Sequence, residues 1–338
     1  MNYYDIILKG GDSMPATVTH AFFAIDVYQN LRKGDKLLVN KEFNRLKMFG
    51  QSTDSIMFYN IESLKKGKKL RQFQNFFHTN YSQKFFVKLC KTIKLQNLQN
   101  DQDVLAFLYG FICHYVLDSV VHPFVVYKTG VMDKSDKTTF KYNNLHSYME
   151  TYIDNYMILQ KTNHKPYKFR LDKFCFDTRC FSNSLNNVID VVFDDVFNIK
   201  NMSKIYYKSL KQMKSFLRKY RYDRFGIKKI GYRGIDLFTS KSFFKFDVLS
   251  YHYFPDNKKY FLNTNHNIWY NPINHNISSN DSFDDLYKKS IKEAVYIVKC
   301  VNDYFNDKNI VLEEVFTNKS YLSGLDCNVP LNYKKFEF

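Results

Sequence analysis

Glycine, proline and paired cysteines are scarce in this chain. Its 338 residues include 11 Gly and 6 Pro, too few for a loop-rich or all-β protein. The six cysteines form no Cys-X-X-Cys pair, so the signature of a paired-cysteine zinc site is missing. Residues 1–13, MNYYDIILKGGDS, have neither the basic start nor the apolar stretch of a secretory signal. We therefore expect a cytoplasmic protein with reduced thiols.

Acidic residues are also in the minority. The chain has 33 Asp and Glu against 50 Lys and Arg, which gives a formal net charge of +17. This excess suits an anionic membrane surface, a nucleic acid or a phosphate-bearing substrate. An AT-rich genome would produce the same excess, because it also enriches Lys, Asn, Ile, Phe and Tyr. The charge therefore does not distinguish a lipid partner from a nucleic acid.

Long apolar runs are rare, and the main one covers residues 104–121, VLAFLYGFICHYVLDSVV. Its length is barely enough to cross a bilayer. An aspartate such as Asp118 argues against insertion, because Asp at the centre of a membrane helix costs roughly 2.5–3.5 kcal/mol. We predict instead a buried helix that carries metal ligands, and we expect any membrane contact to be peripheral.

Aromatic residues, in contrast, are abundant. The chain has 33 Phe and 27 Tyr, enough to build a sizeable core. Apolar residues recur with helical spacing along most of the chain, which predicts an all-α fold with a looser region near 223–280. Pro123 is expected to end or kink the central helix. The predicted helices cover 17–31 (capped by Thr17 or Thr19), 38–49, 76–95, 101–121, 145–160, 184–197, 202–220 and 282–305.

The most informative segment is FICHYVLDSVVHP at 111–123. It spaces His114, Asp118 and His122 four residues apart in an apolar stretch, and His146 and Glu150 repeat the spacing. One buried His–Asp pair is often explained by a hydrogen bond between the two side chains. Several buried pairs would each need a separate explanation of how the cost of burying ionisable groups is offset. Five imidazole and carboxylate groups arranged in this way indicate a multinuclear metal site, with zinc as the metal.

Several separated segments carry a resemblance to a known family. They are MPATVTHAFFAIDVY at 14–28, GQSTDSIMFY at 50–59, GFICHYVLDSVVHPFVVYKTG at 110–130, NLHSYMETYID at 144–154 and NHNIWYNP at 265–272. In this order they resemble the bacterial zinc-dependent phospholipase C family, also described as phospholipase C/D domain proteins. That family is related to the single-strand-specific zinc nucleases.

The resemblance implies a single multi-helical domain with a multinuclear metal site between its helices. Residues 1–13 would be an N-terminal extension, and 14–338 the domain, with a metal-binding core at about 14–160 and a C-terminal helical part at about 180–310. Secreted relatives use the amino group of the mature N-terminus as a zinc ligand. Here residues 1–13 precede the family-like start at Met14, so the zinc site of His20 would lack that ligand unless translation starts at Met14.

The resemblance also assigns roles to particular residues, with two to three zinc ions bound. One zinc would be held by His78, Asp54, His114 and Asp118, a second by His20 and the bridging Asp118, and a third by His122, His146 and Glu150. Asp54 would be the catalytic base or water-positioning group. Taken singly, His20 is typical of a half-buried histidine, His78 of an exposed one, and Asp54 of a helix cap. His266 and Trp269 would pack near the site.

These roles lead to three functional hypotheses. The first is a zinc-dependent phosphodiester hydrolase that acts on a phospholipid or related headgroup, with possible peripheral contact to an anionic membrane. The second is a zinc-dependent single-strand nuclease, which would need aromatic platforms for bases. The third is a non-catalytic helical protein stabilised by metal. The sequence leaves the substrate, the C-type or D-type cleavage and the oligomeric state open.

Overall fold

The predicted all-α fold is confirmed by a computed structural model, which describes residues 16–133, 135–239, 245–252 and 258–333. Residues 1–13, which the sequence analysis predicted to be an N-terminal extension, and Met14 lie outside these ranges. The described residues form fourteen α-helices and one pair of antiparallel strands, β1 (Trp269–Tyr270) and β2 (Ser278–Ser279). The helices are α1 (Thr17–Asn30), α2 (Lys33–Leu37), α3 (Phe43–Phe49), α4 (Leu64–Thr79), α5 (Ser82–Leu95), α6 (Gln102–Thr129), α7 (Leu145–Lys161), α8 (Leu171–Phe174), α9 (Asn183–Phe197), α10 (Met202–Phe216), α11 (Ile227–Leu237), α12 (Lys258–Phe261), α13 (Phe283–Phe305) and α14 (Leu312–Val315).

Helix α6 forms the centre of the fold. It starts at Asp101, whose side chain accepts hydrogen bonds from the amides of Asp103 and Val104. Helices α1, α3, α7, α9 and α13 pack around it, so nearly its whole surface is buried. Within the described ranges it is the one helix long and apolar enough to span a membrane, yet 94% of its most apolar stretch is buried inside the protein.

Pro123 does not end α6, and the helix continues to Thr129. A proline inside a helix removes the hydrogen bond to the carbonyl four residues earlier, here that of Ser119. Gly324 of the C-terminal segment approaches this carbonyl so closely that a Cβ there would lie 2.4 Å from the oxygen. The C-terminal segment therefore packs directly against the part of α6 that carries the candidate ligands.

A glycine also sets the distance between α3 and α6. A Cβ on Gly110 would lie 2.5 Å from the Cβ of Phe49 and 2.9 Å from the amide nitrogen of Gly50. The absent side chain lets the end of α3 rest on α6. This contact brings the carbonyl of Gly50 within 3.0 Å of His114.

Other local predictions were also wrong, including the helix predicted at 38–49, which begins as an α-helix only at Phe43. The stretch 76–95 is not one helix, because Tyr81 adopts a left-handed backbone with φ of 62° between α4 and α5. Neither Thr17 nor Thr19 caps α1, which follows Ala16 without a side-chain cap of its own. The amide of Thr19 instead donates to a carboxylate from another helix, Asp154 of α7.

Candidate metal centre

The helical spacing in α6 places three potential ligands in one line. His114 and Asp118 are buried, and their facing atoms, Nε2 and Oδ2, lie 3.0 Å apart. One turn further on, Nδ1 of His122 lies 3.9 Å from the same carboxylate oxygen. Asp118 therefore lies between the two histidines, as the spacing of four residues predicts.

Three more side chains reach this line from separate elements. His20 comes from α1, His78 from the last turn of α4, and Asp54 from a 3₁₀ turn at Ser52–Phe58. Nε2 of His20 lies 3.2 Å from Oδ1 of Asp118. Oδ1 of Asp54 lies 3.3 Å from Nε2 of His78 and 3.8 Å from Nε2 of His114.

All three of these side chains are buried. Burial excludes the interpretation of His78 as an exposed histidine. No side-chain cap hydrogen bond is present at the start of the turn that carries Asp54, so Asp54 does not serve as a helix cap there.

A second group lies at the other end of the line. Oε1 of Glu150 is 3.1 Å from Nε2 of His146 and 3.6 Å from Nε2 of His122. The His146 and His122 side chains retain 21% and 14% of their accessible surface, whereas the His114 side chain retains none. The centre is therefore closed at His114 and opens towards solvent at His146.

Backbone carbonyls orient two of the imidazoles. Nδ1 of His114 lies 3.0 Å from the carbonyl oxygen of Gly50, and Nδ1 of His122 lies 3.0 Å from that of Tyr321. A carbonyl can only accept, so each Nδ1 carries a proton, and in the neutral imidazole Nε2 is then the atom with the lone pair. Histidines that bind metals are held by this kind of hydrogen bond.

The unpartnered atoms of the cluster test whether zinc fits. Nε2 of His114 and Oδ2 of Asp118 are buried and face each other, and neither has a hydrogen-bond partner among the described residues. The same is true of Oε2 of Glu150. Two lone pairs at 3.0 Å repel unless a cation or proton lies between them. Tetrahedral zinc with bonds of 2.0–2.2 Å sets its ligand atoms about 3.3–3.6 Å apart, close to the separations described above.

In three groups of donors, the potential ligand atoms all lie within 4.8 Å of one another. They are His20, Asp54 and His114; His78, His114 and Asp118; and His122, His146 and Glu150. Imidazole nitrogens together with carboxylate oxygens are a donor set that zinc accepts. The residues therefore fit a zinc cluster.

The pKa shifts in the cluster differ from residue to residue. Burial acts to lower the pKa of His114 and of His122, but the charge of Asp118 outweighs it and raises both, that of His122 to about 9. Although burial acts in the opposite direction, His114, His122 and His20 hold the pKa of Asp118 well below its usual value. Burial, followed by the repulsion of His114, lowers the pKa of His78 well below its usual value and keeps its imidazole neutral. A neutral imidazole and an ionised carboxylate are the states that bind metals.

Sequence reasoning missed two side chains that support the ligands. The ring of Tyr321 stacks on His78 with centroids 4.9 Å apart, and its amide donates to the His78 carbonyl. Nε2 of Gln74 lies 3.0 Å from Oδ1 of Asp54 and 3.1 Å from Nδ1 of His78. Gln74 precedes His78 by one helical turn, so this spacing could have revealed it. Tyr321 lies in a segment without periodicity and gave no such signal.

His266 and Trp269 lie outside the cluster. His266 is exposed and its Nδ1 lies 3.1 Å from the carbonyl of Asn280. Trp269 is buried, and its ring packs on Phe124 of α6 with centroids 5.5 Å apart. Trp269 therefore has a packing role beside the ligand-bearing helix.

A comparison with family models identifies the chain. The model described as zinc dependent phospholipase C matches residues 19–198, which is 180 of the 338 residues. The chain belongs to this family. All eight residues that the sequence analysis assigned to zinc fall inside the matched range. No curated protein and no solved structure matches the chain at a significant level.

Proposed function

We propose that this chain is a zinc-dependent phosphodiester hydrolase that cleaves a phospholipid headgroup, with residues 14–338 forming its catalytic domain. The observation that carries the proposal is the convergence of three donor groups on α6, with unpartnered ligand atoms facing one another in the interior. Facing lone pairs in the interior need a cation or a proton between them, and bound zinc would supply the positive charge for all three groups.

The geometry supports a particular distribution of two to three zinc ions. The two oxygens of Asp118 face different partners, Oδ1 towards His20 and Oδ2 towards His114, as a bridging carboxylate would. In our proposal, His78, Asp54, His114 and Asp118 hold one ion, and His20 and Asp118 hold another. His122, His146 and Glu150 hold the third. The ion of His20 has the fewest protein ligands and should be the weakest.

Bound zinc would polarise the phosphoryl oxygens and lower the pKa of water, which is the chemistry that phosphodiester hydrolysis needs. Asp54 would accept a proton from the attacking water or position it, the role that the family resemblance implies, and its buried carboxylate lies beside His78 and His114. Gln74 holds Oδ1 of Asp54 in place. The opening at His146 is where a headgroup would enter.

A phospholipid is preferred to a nucleic acid because the matched family is a phospholipase family rather than its nuclease relatives. The test compares two substrates with one zinc-loaded preparation, namely short-chain phosphatidylcholine and single-stranded DNA. We expect hydrolysis of the lipid that is lost on chelation and restored by zinc. Phosphocholine as the product would indicate C-type cleavage, and free choline D-type cleavage.

Two outcomes would contradict the proposal. Cleavage of DNA without cleavage of lipid would assign the chain to nuclease chemistry. Zinc bound in stoichiometric amounts without hydrolysis of either substrate would assign it to the metal-stabilised proteins without catalysis.

A further inference from the structure

Helix α11 presents its apolar face to solvent. Ile230 is 74% exposed and Leu237 is 83% exposed, and Phe238, just after the helix, is 93% exposed. Among the described residues, no atom outside the local backbone lies within 4 Å of the position that a Cβ would occupy on Gly231 or Gly234. We call this surface the outward apolar face; its large side chains are Phe225, Ile227, Ile230, Ile235, Leu237 and Phe238.

The polar side chains of α11 hold it to the rest of the protein. Nζ of Lys229 donates to the carbonyl of Asp247 at 2.7 Å, and Nζ of Lys228 donates to that of Tyr222 at 2.7 Å. The hydroxyl of Tyr232 donates to the carbonyl of Tyr220. At 100° per residue, these three side chains lie on the side of the helix opposite Ile227 and Ile230.

This orientation is the reverse of that in an ordinary surface helix. A helix on a water-soluble protein normally packs its apolar stripe on the core and turns its polar side outward. Contiguous exposed apolar patches on such proteins are uncommon and mark interaction surfaces. The outward apolar face therefore needs an apolar partner.

The charges around this face show which partner it suits. Arg218, Lys219 and Arg224 are exposed just before the helix, and Arg233 is exposed within it. The acidic side chains of the same stretch turn inward instead. Asp223 is buried and accepts from the amides of Lys228 and Lys229, and Asp236 accepts from the amides of Phe246 and Asp247.

We propose that α11 is an interfacial helix that docks the protein on an anionic lipid bilayer. Its large apolar side chains would enter the acyl boundary, while the cations around them would lie among anionic headgroups, the arrangement that interfacial helices adopt. The exposed charges of residues 218–238 are all positive, which favours an anionic surface as the partner. The inference deepens the proposed function, because it names the surface on which a phospholipid substrate would be met.

Helix α11 is connected to the metal centre by a short series of hydrogen bonds. Asp236 of α11 accepts from the amide of Asp247. The carboxylate of Asp247 in turn accepts from the hydroxyl of Tyr148. Tyr148 lies on α7 between His146 and Glu150, at the more open end of the centre. The amide of Lys245 also donates to Asn144, just before α7. A bilayer bound at α11 would therefore be held at a fixed position relative to these ligands.

The test measures binding rather than hydrolysis. Zinc-loaded protein is sedimented with vesicles of phosphatidylcholine, with or without phosphatidylglycerol, and hydrolysis of short-chain phosphatidylcholine is measured separately. The double variant Ile230→Gln/Leu237→Gln should lose roughly tenfold or more in partitioning onto the anionic vesicles. The matched control Leu95→Gln/Ile268→Gln removes two exposed apolar side chains from other surfaces and should bind as the wild type does.

The charges can be tested independently. Lys219→Gln/Arg224→Gln should weaken binding to the anionic vesicles by on the order of tenfold, and added salt should have less effect on this variant than on the wild type. Equal vesicle binding by wild type and the α11 double variant would overturn the inference. So would a wild type that ignores anionic vesicles, or one that forms dimers through this face without lipid. Vesicle binding without hydrolysis would leave the inference standing and contradict only the proposed function.

Discussion

The carboxylate of Asp154 caps a helix that is not its own, because its Oδ1 lies 2.8 Å from the amide nitrogen of Thr19 in the first turn of α1. The same oxygen accepts from the Thr19 hydroxyl at 2.7 Å. Thr19 precedes His20, and Asp154 lies one turn after Glu150. This contact therefore fixes the helix of one candidate ligand against the helix of another.

Replacing Asp154 by alanine should destabilise the protein by about 3–5 kcal/mol, because the change leaves the buried guanidinium of Arg221 without its carboxylate. The measurement is urea unfolding of the zinc-loaded protein. Asp154→Asn is the informative companion, since an amide oxygen can still cap Thr19 but cannot neutralise Arg221. A loss of stability below about 1 kcal/mol for the alanine variant would show that Asp154 does not neutralise Arg221 to any important extent.

The open end of the centre should lose one zinc independently of the closed end. In the proposed arrangement, His146→Ala would remove a ligand of the third ion and leave every proposed ligand of the other two in place. We expect zinc content, measured by elemental analysis, to fall by about one ion per chain. Unchanged zinc content in a folded His146→Ala protein would show that His146 is not a ligand.

Sequence alone could locate the candidate ligands on α6 and α7, including His146 and Glu150, but not those that come from other elements. His114, Asp118 and His122 were predictable, because a spacing of four residues places polar groups on one side of a helix that is otherwise apolar. His20, Asp54 and His78 come from three distant elements, and only the family resemblance pointed to them. No periodic pattern encodes which distant loops meet.

The errors along the helices have the same origin. Pro123 lies inside α6, and a distant segment, at Gly324, packs against the backbone of the preceding turn. The role of Tyr321 follows from tertiary packing of a segment with no periodicity. The reversed orientation of α11 was also hidden, since an amphipathic pattern does not state which face meets the protein.

Tyr321 allows the contribution of its ring to stability to be measured separately from that of its hydroxyl. Its hydroxyl is buried without a partner, while its ring packs on His78 and Phe77. Tyr321→Phe should therefore be neutral or slightly stabilising, whereas Tyr321→Ala should cost about 3–5 kcal/mol through the cavity it leaves. Thermal and urea unfolding of the two variants would check this. Equal destabilisation by both would mean that the hydroxyl makes an essential contact.

Asp118→Asn tests whether Asp118 is a zinc ligand shared by two ions or only a buried hydrogen-bonding group. A neutral amide binds zinc poorly, so zinc content should fall and chelator should shift the melting temperature less than in the wild type. Asp172→Asn is a control that neutralises another buried carboxylate, which pairs with Arg170 away from the cluster. It should lower stability without changing zinc content. Loss of stability alone in Asp118→Asn would reduce Asp118 to a structural role.

A substitution of Asp54 distinguishes most clearly between a catalytic role and a purely structural role. Asp54 lies outside both helical groups of ligands, and Gln74 and His78 hold Oδ1 of its carboxylate. If Asp54 accepts a proton from water, Asp54→Asn should reduce hydrolysis by roughly 10²-fold or more. The protein should stay folded and keep the zinc of His122, His146 and Glu150, because those ligands are unchanged. Near-normal hydrolysis by a folded, zinc-loaded Asp54→Asn protein would rule out the catalytic role, since asparagine retains the size of the side chain but not its basicity.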